Sequence, residues 1–142
     1  MTISKVIMNT PKPYKFIDDD DVNLTNMVRE GVSFTYLNKL SDHIHLGIDE
    51  WASYLHLSER TIQRYKKDKK TFDPIYSEKI VLIELLYKKG IEVFGDEEKF
   101  YAWMDFKSIP LGGVKPKELL DTSFGISMIR DELGRIEHGI LA

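Results

Sequence analysis

Apolar residues recur three and four positions apart along most of the chain from Asp21 onward, which is the spacing of amphipathic helices. Short polar breaks that contain Gly, Ser, Asp or Pro separate these apolar stripes, and such residues begin and end helices. Two short helices are predicted first: one is capped by Asp21 and ended by Gly31, and the next is capped by Ser33 and ended by Gly47. The pattern therefore predicts an all-α fold.

The stretch 49–67 has the pattern of two short helices joined by a tight turn, which is typical of a helix-turn-helix module. Ser58 suits the N-cap of the second helix. His56 stands at the turn position where Gly is common, and histidine tolerates a positive φ better than most residues, so the turn survives at a modest cost. The apolar residues predicted to point inward from the two helices are Trp51, Leu55, Ile62 and Tyr65.

The outward face of the second helix is polar, and lysines follow it. Arginine and glutamine make bidentate contacts with base edges in the major groove, and lysine contacts phosphates. The predicted DNA-binding residues are Ser58, Glu59, Arg60, Gln63, Arg64, Lys67, Lys69 and Lys70. An ordinary solvated face on a helical domain is the alternative interpretation, because many helix pairs match the same pattern.

A helical stripe continues from Ile75 to Phe94 without a break at Gly90. This predicts one long helix in which Gly90 is a point of close packing, and the alternative is a helix that ends at Gly90. Asp96 is the predicted cap of the following helix. The first turn of that helix contains two glutamates, whose negative charges are stabilised by the helix dipole.

The segment 111–122 is the least generic part of the chain. Gly112 and Gly113 allow the backbone to pass where a Cβ would clash, and Pro116 suits the first position of a short helix. The last helix is predicted from about Phe124 to His138. Gly139 is predicted to end it and to leave the apolar tail 140–142.

This Leu-Gly-Gly…Pro…Leu-Leu-Asp-Thr…Gly pattern, with 94–96, Trp103 and 136–139 around it, resembles the toxin-binding domain of Xre/MbcA/ParS-type antitoxins. These proteins are the antitoxin halves of bacterial toxin–antitoxin pairs and are often partnered with a RES-domain toxin. The resemblance covers roughly Met27 to the C-terminus. It implies a C-terminal domain that inhibits an NAD-degrading toxin, and a helix-turn-helix that represses the shared operon on operator DNA as a homodimer or in a higher assembly with toxin.

The resemblance also implies that the C-terminal end covers the toxin's active site. An exposed apolar end beside a positive Arg135 suits a cleft that binds an anionic dinucleotide. The predicted toxin-binding residues are Arg130, Arg135, His138, Gly139, Ile140, Leu141 and Ala142. The alternative is that Ile140 and Leu141 fold back onto their own domain.

Composition and net charge exclude several classes of protein. The net charge of −3 argues against a protein that is basic throughout, so a nucleic-acid contact must come from a local patch. The absence of cysteine excludes disulfides and thiolate metal sites and fits a reducing compartment. No apolar run is long enough to span a membrane and no secretion signal is evident, so we expect a cytoplasmic protein without membrane contact.

The pattern gives no sign of an enzyme, a metal site or a cofactor. His43 and His45 are two residues apart and so do not share a helix face, and 111–113 is not a phosphate loop because no Lys-Ser or Lys-Thr opens a following helix. The acidic block 18–21 is interpreted as a solvated arm, since no glycine-centred calcium loop follows it.

The predicted organisation is an N-terminal arm over 1–21, a helix-turn-helix region over 22–74, a connecting helix over 75–94 and a toxin-binding domain over 95–142. Ile3, Val6 and Ile7 offer the arm an apolar segment for dimerisation. Two other functions stay open: a stand-alone regulator whose C-terminal domain dimerises, and a helical adaptor without DNA contact. A neighbouring gene for a RES-like protein would separate the antitoxin from both.

Overall fold

The computed structural model describes residues 14–141, with side chains as far as Gly139. Within that range the chain forms helices, and extended pairing is limited to two isolated bridges. The predicted all-α fold is therefore confirmed. The helices are α1 (Asp21–Glu30), α2 (Phe34–Ile44), α3 (Ile48–Leu55), α4 (Glu59–Asp68), α5 (Pro74–Phe94), α6 (Glu97–Asp105), two short 3₁₀ helices (Ile109–Leu111 and Pro116–Leu119) and α7 (Ser123–Leu141).

The long helix α5 is the centre of the fold. It contacts α1, α2 and α3 on the N-terminal side and α6 and α7 on the C-terminal side. Its buried apolar residues join both groups into one hydrophobic core: Ile80, Val81, Ile83, Leu86 and Tyr87. The helix-turn-helix and the C-terminal helices are thus both packed against α5.

Gly90 lies inside α5, as the uninterrupted stripe predicts, and the alternative helix end at this residue is wrong. A Cβ at Gly90 would overlap the Phe100 ring of α6, so the glycine permits the two helices to approach closely. Gly95, with φ of 74°, ends α5 in the left-handed region, where glycine is favoured. Asp96 caps α6 as predicted.

Two helix ends differ from the sequence-based expectation. Asp20 caps α1 in place of Asp21, because its Oδ1 accepts the Val22 N–H at 3.0 Å. His45 ends α2 in place of Gly47, in the left-handed region with φ of 60°. Gly47 instead precedes α3, and its N–H donates to Glu50 Oε1 at 3.0 Å. Neighbouring residues of equal capping ability leave such choices to tertiary packing.

The short segment between α4 and α5 contributes to the core, because Phe72 within it is fully buried. Its ring stacks on Tyr65 with centroids 4.4 Å apart, and its N–H donates to the Val32 carbonyl at 2.8 Å. Ser77 Oγ donates to the Phe72 carbonyl at 2.9 Å and accepts the Val32 N–H at 3.0 Å. This segment therefore fastens α4 to α5.

The described part of the arm, residues 14–20, packs along α5 around the buried carboxylate of Glu84. Tyr14 Oη donates to Glu84 Oε2 at 3.3 Å and the Ile17 N–H donates to the same oxygen at 3.0 Å, while Tyr36 Oη donates to Oε1. Burial and the nearby carboxylate raise the pKa of both tyrosines, which keeps them as donors. One turn later Lys88 Nζ donates to the Ile17 carbonyl at 2.9 Å.

Tyr14, Phe16 and Ile17 of the arm are therefore half-buried, and hydrogen bonds to Glu84 hold Tyr14 and Ile17 in place. The acidic block that follows is exposed, as its interpretation as a solvated segment predicts. The segment proposed for dimerisation, Ile3, Val6 and Ile7, lies outside the described residues. The same holds for Ala142 and for the side chains of Ile140 and Leu141.

Candidate functional site

The helix-turn-helix is formed by α3 and α4 as the spacing predicts. His56 adopts φ of 57° in the turn, and Ser58 Oγ accepts the Thr61 N–H at 3.0 Å to cap α4. Trp51, Leu55 and Ile62 are buried, and Tyr65 is half-buried. The inward residues thus fix the angle between the two helices and leave the opposite face of α4 outward.

All eight predicted DNA-binding residues are exposed. A shallow groove of 450 Å³ on the outer side of α4 is lined by Arg60, Gln63, Arg64, Lys67 and Asp68. None of the basic side chains in this set takes part in an ion pair within residues 14–139. Their charges are consequently available to an anionic partner.

The lysines after α4 differ in their positions. Lys69 is the C-cap of α4 and has a left-handed backbone, with φ of 52°. Lys66 places its Nζ 5.6 Å from the centroid of the Phe34 ring at the start of α2. Lys66 is therefore partly engaged within the fold, whereas Lys67, Lys69 and Lys70 extend the exposed basic surface.

The glycine pair serves a tight loop. Gly112 and Gly113 have φ of 89° and 79°, a conformation that other residues rarely adopt. The Gly113 N–H donates to the Ser108 carbonyl at 2.8 Å, and the Ser108 N–H donates to the Val114 carbonyl at 2.9 Å. This closed loop leads to Pro116 and Leu120, both buried, so that the second 3₁₀ helix is anchored to the core.

The start of α7 approaches the second 3₁₀ helix very closely. Thr122 Oγ1 accepts the Gly125 N–H at 2.9 Å and so caps α7. A Cβ at Gly125 would overlap the Leu119 carbonyl oxygen. The glycine of the Leu-Leu-Asp-Thr…Gly pattern is therefore the residue that allows this contact.

The other end of α7 differs from the sequence-based expectation. The helix does not stop at Gly139 but continues to Leu141. Gly139 is exposed, a Cβ there would meet nothing within 4 Å, and its φ is not positive. Glycine inside a helix costs only about 1 kcal/mol relative to alanine, so α7 can pass through it when no proline or left-handed cap follows. The chain therefore stays helical as far as Leu141, where the sequence predicted a tail from residue 140.

The predicted toxin-binding residues do not share one face of α7. Arg135 and His138 are three residues apart and lie on the same side, whereas Arg130 is five residues from Arg135, about 140° around the axis. Arg135 Nη2 lies 2.7 Å from Glu132 Oε2, while Arg130 has no ion pair within residues 14–139. Glu137 is bound to Lys89 of α5 at 2.9 Å, and this ion pair pins the end of α7 to the core.

Several exposed apolar residues of the C-terminal domain were not predicted from the sequence. Phe124 and Met128 lie one turn apart on α7, off the buried stripe of Ile126, Ile129 and Leu133, and are 86% and 42% exposed. The i, i+4 spacing of two apolar residues on an otherwise polar face is the signal that would have found them. Phe106 and Ile109, before the glycine loop, are also largely exposed.

Polar contacts join the helix-turn-helix to the C-terminal domain. The Asp121 carbonyl accepts from His56 Nε2 and from Lys79 Nζ, each at 2.8 Å. Lys79 Nζ also lies 3.4 Å from the Tyr54 carbonyl at the end of α3, and desolvation by burial lowers its pKa. On another side, Lys117 Nζ lies 2.6 Å from Glu50 Oε2. The turn of the DNA-binding module is therefore tied to the residue just before α7.

No group of three or more His, Asp or Glu residues in the described range could hold a metal ion. No helix among the described residues is sufficiently long and apolar to cross a membrane. His43 stacks on Tyr14, with ring centroids 4.5 Å apart, and His45 and His56 occupy left-handed helix ends, so these three histidines have structural positions.

Comparison with known proteins agrees with this arrangement. Residues 24–83 match the antitoxin Xre-like helix-turn-helix domain, and residues 89–139 match the antitoxin Xre/MbcA/ParS C-terminal toxin-binding domain. An antitoxin Xre from Photorhabdus laumondii subsp. laumondii is 27% identical over 121 residues, which span 84% of this chain and 82% of the relative. An antitoxin Xre from Yersinia enterocolitica is 30% identical over 110 residues, which span 71% and 72% respectively. With a helix-turn-helix followed by a toxin-binding domain, the chain belongs to the Xre family of antitoxins.

Proposed function

We propose that this chain binds and inhibits a RES-type, NAD-degrading toxin and represses the operon that encodes both proteins. The observation that carries the proposal is the separation of two surfaces on one rigid core. The basic face of α4 is exposed at one site, and His138 and Gly139 near the end of α7 are exposed at another. The domain boundaries proposed for these roles are 1–21, 22–74, 75–94 and 95–142.

For the DNA-binding half, we assign α4 to the major groove. Arg60, Gln63 and Arg64 carry donors suited to base edges, and Ser58, Glu59, Lys67, Lys69 and Lys70 lie at the start or the basic end of the same surface. One such helix contacts only a few base pairs, so the operator complex requires two copies of the chain on half-sites one helical turn apart. This places the proposed action in the cytoplasm, where the bacterial chromosome lies.

For the toxin-binding half, we assign the C-terminal end of the chain, with Arg130, Arg135, His138, Gly139, Ile140, Leu141 and Ala142. The helix continues through Gly139 to Leu141, and a segment that is already helical loses less conformational entropy when it binds in a cleft. Because Arg135 is already bound to Glu132 and Arg130 has no such partner within residues 14–139, Arg130 is the more available cation for an anionic partner.

The experiment is co-expression of the tagged chain with the product of its neighbouring gene, followed by co-purification. The wild-type chain and an Arg60→Ala/Arg64→Ala variant should both retain the partner, because α4 is not used for toxin binding. A variant that lacks residues 139–142 should lose it. Hydrolysis of NAD by the partner, suppressed by the wild-type chain only, would identify the toxin class.

Retention of the partner by the truncated chain would contradict the assignment of the α7 end. A partner without NAD-degrading activity would contradict the RES assignment. If no partner bound but the wild-type chain still bound its own upstream DNA, the chain would instead be a stand-alone regulator.

A further inference from the structure

A cavity of 490 Å³ lies between α3 of the helix-turn-helix and the second 3₁₀ helix of the C-terminal domain. Five carboxylates and two lysines line it, so the net charge of the lining is negative. We call it the acidic cavity. Its lining residues are Asp49, Glu50, Ser53, Tyr54, Asp105, Lys115, Lys117, Glu118 and Asp121.

Two of the carboxylates in the acidic cavity lack a compensating charge. Lys117 Nζ lies 2.6 Å from Glu50 Oε2 and 3.7 Å from Asp105 Oδ1, so one ammonium group already serves these two carboxylates. The side chains of Asp49 and Asp121 take part in no ion pair within residues 14–139. The hydrogen bonds to Asp121 described above reach its backbone carbonyl, so its carboxylate is still available to a cation.

The Tyr54 hydroxyl is a third acceptor without a partner in this cavity. Tyr54 is only 6% exposed. The hydroxyls of Tyr14, Tyr36 and Tyr101 each donate to a nearby oxygen, whereas the Tyr54 hydroxyl forms no hydrogen bond with residues 14–139. Its oxygen is not among the fully enclosed polar atoms, which agrees with its place in the cavity lining. A buried polar group that lacks a partner in the fold points to a bound water molecule or ligand.

The surrounding carboxylates keep the Tyr54 hydroxyl protonated. Burial is the largest cause of the raised pKa of Tyr54, and the charges of four carboxylates of the lining add to it. In order of effect these are Glu50, Asp105, Asp49 and Asp121. Since all four act on one hydroxyl, they lie around the same part of the cavity. The hydroxyl is thus a neutral oxygen that can accept a hydrogen bond beside negative charges.

We propose that the acidic cavity binds a guanidinium group, which an arginine side chain of the toxin supplies. A guanidinium has five N–H donors in one plane and can bond to two carboxylates and a hydroxyl at once. A lysine ammonium has three donors and is more strongly hydrated, so it leaves water less readily. Hydrogen bonds between charged groups are stronger than neutral ones, and arginine is one of the residues that dominate the binding energy of protein interfaces.

The lining of the acidic cavity disfavours other ligands. Its negative charge would repel the phosphates of DNA. Among the described residues, no group of three or more His, Asp or Glu side chains is arranged to hold a metal ion.

The position of the acidic cavity favours the toxin as the source of the guanidinium. Five of its nine lining residues lie within residues 89–139, which match the toxin-binding domain. Asp121 directly precedes the first turn of α7, so this contact and the end of α7 would hold the toxin at two separate places. The identity of the partner rests on the proposed function, but the binding of a guanidinium group does not.

The first test is an NMR titration of the full chain with N-acetyl-arginine methylamide. The citrulline analogue, which has a similar shape and no charge, is the control ligand. We expect the arginine compound to shift the signals of Tyr54 and Asp121 and the citrulline compound to leave them in place. Asp121→Asn and Asp49→Asn should each raise the dissociation constant of the arginine compound by about tenfold or more, the usual effect of one charge-assisted hydrogen bond. Asp131→Asn, an equal change at an exposed residue of α7 outside the cavity, should leave it unchanged.

Tyr54→Phe separates a role in binding from a role in stability. It removes only the hydroxyl, so the dissociation constant of the arginine compound should rise by roughly two- to tenfold. The Tm should stay the same or rise, because no hydrogen bond within the fold is lost. Tyr36→Phe is the matched control and should give the opposite result, a lower Tm and unchanged binding, since the Tyr36 hydroxyl donates to Glu84.

The second test uses the toxin that co-purifies with the chain. Asp121→Asn should raise the dissociation constant of the toxin complex by about tenfold or more, and Asp131→Asn should not change it. If the arginine compound bound no better than the citrulline compound, or bound equally to the wild type and Asp121→Asn, the guanidinium site would be overturned and the cavity would hold water only.

Two other results would overturn the toxin as the source of the guanidinium. If the arginine compound bound but Asp121→Asn left the toxin complex unchanged, the site would take a free guanidinium compound. If the wild-type chain bound no toxin, the proposed function would fail as well, and the arginine titration would still decide what the acidic cavity binds.

Discussion

Single replacements of three glycines of α7 by alanine should change the stability of the chain, with a sign that differs between the positions. At Gly125, an added Cβ would overlap the Leu119 carbonyl oxygen and lie 2.8 Å from the carbonyl carbon. These are backbone atoms, which cannot rotate away as a flexible side chain would. At Gly134 and Gly139, an added Cβ would meet nothing within 4 Å, and neither residue has a positive φ.

The magnitudes follow from two competing terms. Alanine is favoured over glycine inside a helix by about 0.8–1.0 kcal/mol, so Gly134→Ala should stabilise the chain by nearly this amount. Gly139→Ala should give a smaller gain because the last turn of a helix frays. For Gly125→Ala the same gain is opposed by an overpacking cost of roughly 1–3 kcal/mol, which leaves a net loss of up to about 2 kcal/mol.

The assay is thermal unfolding of the three single variants and the wild type, followed by far-UV circular dichroism. A change of 1 kcal/mol shifts the Tm of a chain of this size by roughly 2–5 °C. Gly134→Ala should therefore raise the Tm by a few degrees, Gly139→Ala should raise it less, and Gly125→Ala should lower it by up to about 10 °C.

Two results would refute this reasoning. A lower Tm for Gly139→Ala would mean that Gly139 has the left-handed conformation of a helix end, where alanine is strained. A Tm for Gly125→Ala that rises as much as that of Gly134→Ala would mean that α7 does not press against the second 3₁₀ helix.

Four further changes test other parts of the structure. Arg64→Ala should weaken operator binding by about 1–3 kcal/mol and relax base preference, while Lys69→Ala should weaken binding to all sequences and reduce the slope of log K against log salt concentration by about one. Mobility shifts at several salt concentrations distinguish the two variants. If both variants changed base preference and salt dependence equally, the assigned roles would be contradicted. Gly112→Val should lower the Tm and toxin binding together, because φ of 89° strains valine; a loss of toxin binding alone would make the loop a direct contact. Glu84→Ala should lower the free energy of unfolding, measured in urea, by about 3 kcal/mol, because three hydrogen-bond donors at a buried site lose their acceptor. An unchanged urea midpoint of unfolding would contradict the role of this carboxylate.

Local signals allowed much of the fold to be predicted from the sequence. The cap at Ser58, the inward Trp51 and Ile62 and the outward basic residues of α4 all depend on spacing within one or two turns. The uninterrupted stripe across Gly90 likewise identified α5 as one helix. Features of this kind are encoded by neighbouring residues, so periodicity and capping rules recover them.

Contacts between distant residues could not be predicted in this way. Glu84 receives its hydrogen bonds from residues 48 to 70 positions away, and the chain pattern contains no signal that pairs them. Gly139 was misjudged because glycine suits both a helix end and an unobstructed helix interior, and only the surrounding space decides between them.

The central claim is that one chain neutralises a toxin through the end of α7 while α4 serves DNA binding. The most direct measurement is the growth of cells that express the toxin together with the wild-type chain, the Arg60→Ala/Arg64→Ala variant or the chain that lacks residues 139–142. We expect the wild-type chain and the arginine variant to restore growth, and the truncated chain to fail although it still binds operator DNA. Full rescue by the truncated chain would contradict the claim and move the inhibitory surface to another part of the C-terminal domain.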